Sequence, residues 1–243
     1  HNMSTRETFN LFGNRLTIDA SLSYISQKGT NRPHGGTYIN PLTGLYTFPV
    51  NGDFGYYKDN FEKFNEDRNL MAHNWYLPDD DFSANPYWIL NRIKSTERRD
   101  RVMASASAKF KITDWLNVQG RLSVDNTFDR FERKWHATTT ATWAPGGNGR
   151  YRQERFDAKQ FYGDLMLNFN KTWNEKWELN ASLGTSFQDN KVQNVILDSD
   201  KLGLMEANFF VPENINGKNL LSDGVYNSEN VNKQGINAYV YAL

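Results

Sequence analysis

The chain has 243 residues, no cysteine and a formal net charge of zero. Zero net charge argues against a nucleic-acid partner, which would show as a basic excess, and the lack of Cys excludes a disulfide frame, a thiolate metal site and a thiol nucleophile. Aromatic residues make up 14% of a chain of low mean hydropathy, with no apolar run long enough for a transmembrane helix; that combination still admits a β-barrel, in which only alternate strand residues face lipid.

The first residues, HNMSTRET, lack the apolar core of a signal peptide. His1 to Leu11 alternates weakly and predicts a strand, with a tight turn at Gly13-Asn14. Leu16, Ile18, Ala20, Leu22 and Tyr24 then form an apolar row opposite Thr17, Asp19, Ser21 and Ser23. Residues 29–100 follow as one very long connection, rich in aromatics and holding Pro33, Pro41, Pro49, Pro78 and Pro86. Inside a compact soluble domain such a loop would be anomalous; on an outer-membrane barrel long external loops are normal.

The strongest pattern is the hairpin from Val102 to Val124. Val102, Ala104, Ala106, Ala108, Phe110 and Ile112 share one side of the first arm; Leu116, Val118, Gly120, Leu122 and Val124 share one side of the second. A strict period of two means one apolar and one polar face, and the short Asp114-Trp115 connection makes the pair antiparallel. A second loop is predicted over Thr138–Tyr151. A strand over Phe156–Thr172 carries Phe161, Gly163, Leu165, Leu167 and Phe169 on one face. A turn near Asn174-Glu175 leads to Trp177, Leu179, Ala181, Leu183 and Phe187. Asp198–Asn232 reads as a third loop, with a short helix or strand near Leu202–Phe210, and Gly235–Leu243 alternates again. All the prolines fall outside the predicted strands, as ladder hydrogen bonds require.

LTIDASLSY (16–24), LNVQGRLSV (116–124) and WELNASLGT (177–185) repeat one pattern, each after a short turn and each leading to a long loop or extension. Short turns at one end and long loops at the other is the asymmetry of outer-membrane barrels. The fold class is therefore all-β: an antiparallel transmembrane β-barrel segment, partial, with about seven long strands by pattern counting. Ala106, Phe110, Leu122, Leu165, Leu167 and Leu183 are the expected lipid-facing residues.

The runs NPYWILNR (85–92), DRVMASASAKFKITDWLNVQGRLSVD (100–125), KGTNRP (28–33) and NPLTGLYTFP (40–49) resemble the SusC/RagA family of TonB-dependent outer-membrane transporters. The resemblance implies a barrel of 22 strands around a plug, in the outer membrane of a Gram-negative bacterium. It also implies a SusD-like surface lipoprotein as lid, energy from TonB, and import of oligosaccharide or peptide fragments. No plug or TonB-contacting segment is recognisable, so residues 1–243 are expected to be a middle piece of one barrel domain. A non-transporting adhesin barrel and a soluble all-β binding module stay open as alternatives.

No enzyme signature is present, and no cofactor is expected. His1, His34, His73 and His136 lack metal-site spacing, and Asp79–Asp81 reads as a solvated acidic turn, not a defined calcium loop. Charges gather where loops meet strands: Glu97, Arg98, Arg99 and Arg101; Arg130, Glu132, Arg133 and Lys134; Arg150, Arg152, Glu154 and Arg155. They read as a mixed-sign exposed surface, with contact to lipopolysaccharide phosphates as the sharper alternative. Aromatics of the long loop, Tyr56, Tyr57, Trp75, Tyr76, Tyr87 and Trp88, are the candidates for contact with substrate or lid, because aromatic faces stack on sugars and anchor interfaces.

Overall fold

The computed structural model describes residues 1–32, 35–78, 80, 82–173, 177–200 and 202–216, and the strand backbone of Val225–Ala242. The carboxylates of Asp79 and Asp81, the segment Pro33-His34 and the turn at Asn174-Glu175 lie outside these residues, as do the side-chain facings of the last strand.

One antiparallel sheet dominates. Its strands are β1 (Asn2–Leu11), β2 (Leu16–Thr30), β5 (Ile93–Thr113), β6 (Leu116–Trp135), β7 (Arg150–Trp173), β8 (Trp177–Asp198) and β9 (Val225–Ala242). They lie side by side in chain order, interrupted only by a separate hairpin of β3 (Glu62–Asn65) and β4 (Leu70–His73). The sheet is an open up-and-down meander with free edges at β1 and β9. Among the described residues no second sheet packs across either of its faces, so they form no sandwich of the kind a soluble alternation would build.

Directly paired residues share a face, so the register shows how the apolar rows combine. Leu16, Phe110, Val118, Leu167 and Leu183 form one continuous row across β2, β5, β6, β7 and β8. Ala20, Ala106, Leu122, Gly163 and Phe187 form another. A single slip in any ladder would have turned one strand's apolar side to the polar face. The one irregularity, a bulge between Lys111 and Thr113, sits next to the Asp114-Trp115 turn, where it leaves the rows intact.

The strands run further than the alternation indicates. β2 reaches Thr30 and β5 begins at Ile93, so the long connection spans 31–92 and not 29–100. β7 begins at Arg150, and β9 at Val225, inside the stretch expected to be loop. The physical reason is visible in Lys94–Arg101 and Arg150–Arg155. Both faces of these extensions are polar, so pairing continues where the hydropathy signal stops. They are knitted by bidentate ion pairs such as Arg99–Asp129, with both nitrogens 2.7 Å from oxygen.

The long connection is a folded lobe. It contains α1 (Pro41–Thr47), α2 (Phe54–Asp59), the β3–β4 hairpin and α3 (Pro86–Arg92). Each helix starts on an Asx cap: Asn40 accepts from the Leu42 N–H, Asp53 from Tyr56 and Asn85 from Tyr87. Proline follows the cap in α1 and α3, where its missing N–H costs nothing. Gly44 of α1 passes so close to the Ala84 carbonyl that a Cβ would stand 2.3 Å from the oxygen. The segment 202–210 forms turns, and Leu204 makes a single bridge to Ile215.

Candidate functional site

Three surfaces carry the functional information: the apolar face of the sheet, its polar face, and the lobe at the loop end. On the apolar face, Leu22, Phe110, Leu122, Phe161, Leu165, Leu167, Leu183 and Phe187 are all exposed, as is Ala106. A contiguous apolar surface spread over five strands is far larger than a monomeric soluble protein leaves in water.

This apolar belt is oblique to the hydrogen-bond rows. Its edge toward the lobe runs Tyr24, Val102, Val124, Phe161, Phe187, slipping by about four residues from β2 to β8 in the ladder register. Its other edge runs from Leu16 to the Trp173–Trp177 pair and slips by about six. Four to six residues are roughly 13–20 Å of strand, and four interstrand spacings are roughly 19 Å. The belt is thus inclined to the rows by roughly 35–45°, the tilt of strands in closed membrane barrels. Measured across that tilt its height is roughly 20–30 Å, against about 25 Å for a barrel's apolar band.

Aromatic residues mark both margins. At the turn end, Trp115 meets Phe169 edge-on at 5.1 Å, Phe169 stacks on Trp173 at 6.1 Å, and Lys171 lies 5.1 Å from the Trp115 ring centre. At the other margin Phe161 packs on Phe187 at 5.3 Å. Strand β1 continues the belt with Phe9 and Leu11 but interrupts it with the exposed carboxylate of Glu7, opposite Ala20.

The polar face is laced with hydrogen bonds. Ser182 donates to Asn168 at 2.8 Å, and Asn168 to Asn117 at 3.1 Å, linking β8, β7 and β6. Arg121 pairs with Asp164 at 2.7 Å and the Tyr162 hydroxyl donates to the same carboxylate at 2.9 Å. Arg101 binds Asp125 through two nitrogens. Nearer the lobe a concavity of about 520 Å³ is lined chiefly by Glu97, Arg99, Asp129, Phe131, Glu154 and Phe156. It offers both signs of charge beside aromatic faces.

The buried hydrophobic residues lie in the lobe, in the other two connections at its end, and at the strand ends beneath them. Ile89, Ile93, Trp135 and Ala144 make one cluster; Tyr151, Leu204 and Ile215 make a second. Cross-links fuse the three connections. The Trp88 indole N–H donates to Thr139 at 3.0 Å, Arg68 donates to the Gly147 carbonyl at 3.0 Å, and Asn148 donates to the Met205 carbonyl at 2.9 Å. Arg150 grips Asp198 through two bonds of 2.8 Å and lies 5.0 Å from the Trp135 ring centre.

The structure separates the six aromatic candidates. Trp75 and Trp88 are 4% and 1% exposed and belong to the lobe's interior. Tyr56 is exposed; Tyr57, Tyr76 and Tyr87 are half-buried at its surface. Phe48, which composition did not single out, is the hub: it meets Phe54, Trp75 and Tyr76 at 5.3 Å each and Tyr57 at 5.9 Å. Asn85 is the polar counterpart. Fully buried, it donates to the Tyr57 and Asn74 carbonyls at 2.9 Å, and its backbone N–H donates to His73 Nε2 at 3.0 Å. Burial pushes the His73 imidazole down to about 4. The Asn-Pro pairs at 40–41 and 85–86 were the sequence signal for this part of the lobe: a helix cap followed by the residue best suited to a first turn.

Against solved structures, the chain is similar over 99% of its length to a chain of the RagAB peptide importer in its "closed-closed" state, with a TM-score of 0.67 and 14% identity. The fold, an open antiparallel sheet of long strands, matches part of a TonB-dependent barrel. A RagAB peptide transporter structure matches with a TM-score of 0.57, and the importer's "open-open" state with 0.58, both at 14% identity. These matches cover 99% and 98% of this chain. The chain spans about a quarter of the solved chains, 26%, 25% and 24% in the three cases. No protein-family model and no curated protein sequence matches it.

Proposed function

We propose that this chain is part of a SusC/RagA-type transporter of the Gram-negative outer membrane, importing peptide or glycan fragments with energy from TonB beneath a SusD-like lipoprotein lid. The oblique belt carries the reading. Its inclination, height and aromatic margins are what a bilayer demands of tilted strands, and the match to RagAB structures supplies the matching barrel arc. On this reading Ala106, Phe110, Leu122, Leu165, Leu167 and Leu183 face lipid, and the hydrogen-bonded face lines the lumen. The packed lobe stands at the external rim, where Tyr56, Tyr57, Tyr76 and Tyr87 meet substrate or lid while Trp75 and Trp88 hold them in place. The mixed-sign concavity suits a zwitterionic peptide, whose termini and amides need both donors and carboxylates.

The absence of cysteine from these residues makes the test direct. Single cysteines at Leu165 and Leu183 in the complete protein should resist a membrane-impermeant maleimide in outer membranes and, once labelled with a membrane-permeant fluorophore, be quenched by lipid-borne quenchers. A cysteine at Ser123 should label from the lumen. Labelling of Leu165→Cys and Leu183→Cys as fast as Ser123→Cys would remove the membrane assignment. Uptake of labelled oligopeptides or oligosaccharides, measured with and without the lid gene, tests transport separately.

A further inference from the structure

The charged extensions above the belt look like one cluster in sequence, but the ladder register sorts them by face. Arg99, Arg101, Arg133, Arg150 and Arg152 share the polar face, where Asp125, Asp129, Glu154 and Asp198 pair with four of them. Lys28, Arg98, Arg130 and Arg155 lie on the other face and stand directly opposite one another on four successive strands: Lys28 against Arg98, Arg98 against Arg130, Arg130 against Arg155. Like charges directly opposed in a sheet are destabilising. Lys159 and Lys191, also mutually opposed, continue the line onto β7 and β8.

From β2 to β7 the line is itself one hydrogen-bond row, and Lys159 with Lys191 lies nearer the belt. Lys28, Arg98 and Lys191 each sit about four residues beyond the belt edge on their strands, Arg130 and Arg155 about six, and Lys159 about two beyond Phe161. That is roughly 7–20 Å of tilted strand. Four acids share this surface among the described residues, and each already serves a cation: Asp100 binds Arg98 at 2.7 Å, Glu132 binds Lys134 at 3.1 Å, Asp157 binds Arg130 at 2.5 Å and Asp189 approaches Lys191 at 3.7 Å. Lys28, Arg155 and Lys159 are exposed and make no ion pair among the described residues. At the opposite margin of the belt, Lys171 is engaged with Trp115 and Trp173. A cationic surface thus borders the belt on the lobe side, two to six residues above its edge, with three charges unmatched among the described residues.

We propose that this line is a binding site for the phosphate groups of a phosphorylated glycolipid in the outer leaflet, with Lys28, Arg155 and Lys159 as its free ligands and Arg98 and Arg130 as paired flanks. The proposal rests on the membrane reading, because only a bilayer places lipid headgroups at the top of the belt. Phosphate at the headgroup supplies the missing anions, and its acyl chains lie along the belt below. Each basic group near an anionic membrane surface is worth roughly a factor of five in binding, so removing three predicts a loss on the order of a hundredfold.

The test uses the complete protein in phosphatidylcholine nanodiscs doped with phosphorylated or dephosphorylated lipid A, with native mass spectrometry reporting the bound lipid. The parent should retain phosphorylated lipid A selectively. The triple variant Lys28→Gln/Arg155→Gln/Lys159→Gln should lose that selectivity, while Lys109→Gln/Lys111→Gln on the polar face should keep it. Equal retention of the two lipids by the parent, or undiminished retention by the triple variant, overturns the site even though insertion succeeds. Displacement of the lipid by inorganic phosphate at equal concentration would make it a free-phosphate site and overturn the lipid assignment. Failure of the parent to insert sinks the membrane reading and the site together.

Discussion

Placing an arginine at successive depths of the belt tests both the facing and the tilt. On β8 the belt runs from Trp177 to Phe187, so Leu183, 56% exposed, lies close to its centre. On β6 it runs from Leu116 to Val124, and Leu122, 51% exposed, lies about two residues, or roughly 5 Å of height, below its upper margin. A lipid-facing Arg at the midplane of a barrel costs about 2–4 kcal/mol, falling to about 0–1 near the interfaces. Leu183→Arg should therefore cost about 2–4 kcal/mol and Leu122→Arg about 1–2, with Ser123→Arg, one residue away on the hydrogen-bonded face, under about 1. Reversible urea unfolding of the complete protein in lipid vesicles measures all three; heat-modifiable gel migration reports assembly in cells. The order of the first two matters most. Were the strands upright, Leu122, level with Phe187, would sit four residues from Leu183 in the same ladder frame, with the opposite ranking available to either. If Leu122→Arg proved the worse, the inclination worked out from the register would be wrong. If Ser123→Arg matched Leu183→Arg, the belt would not face lipid at all.

Acid should loosen the lobe. Native His73 stays neutral down to about 4 while the unfolded imidazole takes up its proton near 6.5. The unfolded state therefore binds more protons in that window, and stability falls as pH drops from about 6.5 to about 4, by up to about 3 kcal/mol. Hydrogen exchange of the 60–92 amides across this range should show the loss, and His73→Gln should flatten it; an unchanged profile in the variant would assign the effect to another group. Trp88→Ala removes a fully buried indole and its bond to Thr139, and should cost about 3–5 kcal/mol of lobe stability. Strand pairing should survive it, so barrel assembly by gel migration stays at parent level while protease sensitivity of the lobe rises; loss of assembly would mean that the lobe is needed to form the sheet. Glu7→Leu should stabilise the assembled protein in vesicles by about 1–2 kcal/mol if the carboxylate meets lipid, and destabilise it if a cationic or amide side chain on a neighbouring strand pairs with Glu7.

What the sequence disclosed follows from where period-two patterning has a physical cause. Between Leu16 and Tyr24, Val102 and Val124, and Phe161 and Phe187, one face is apolar and the other hydrogen-bonded, so facing, turn ends and antiparallel order were all legible. Lys94–Arg101 and Arg150–Arg155 are equally good strands but polar on both faces, and nothing in their composition distinguishes them from loop. The helices at Pro41, Phe54 and Pro86 are only six or seven residues long, too short to show a helical period; their caps were the sole local sign. Aromatic content marked the lobe as important without saying which rings face inward. Trp75 and Trp88 can be dry because their indoles find acceptors, Ser83 a few residues on and Thr139 in another connection, and that pairing exists only after folding.

The distribution of dry contacts bears on how the arc must be used. In a soluble protein the sheet would hide its apolar side and the loops would be thinly packed; here the loops own the buried clusters and the sheet shows its apolar face. Bilayer burial of that face leaves one unmet demand. The outer edges of β1 and β9 present backbone groups with no partner in the sheet, and hydrocarbon tolerates no such edge. The membrane reading therefore requires a strand beyond β1 and another beyond β9, which closure of a larger barrel provides. Glu7 belongs to the same requirement. An isolated carboxylate opposite Ala20 at belt depth is costly against lipid, yet a cationic or amide side chain on a strand paired to the free edge of β1 would lie within cross-strand reach. A cross-link from Glu7→Cys to a cysteine on that neighbouring strand would locate the partner. Reaction of Glu7→Cys only with lipid-phase reagents would instead show the carboxylate meeting the bilayer directly, and would break the belt at its first strand.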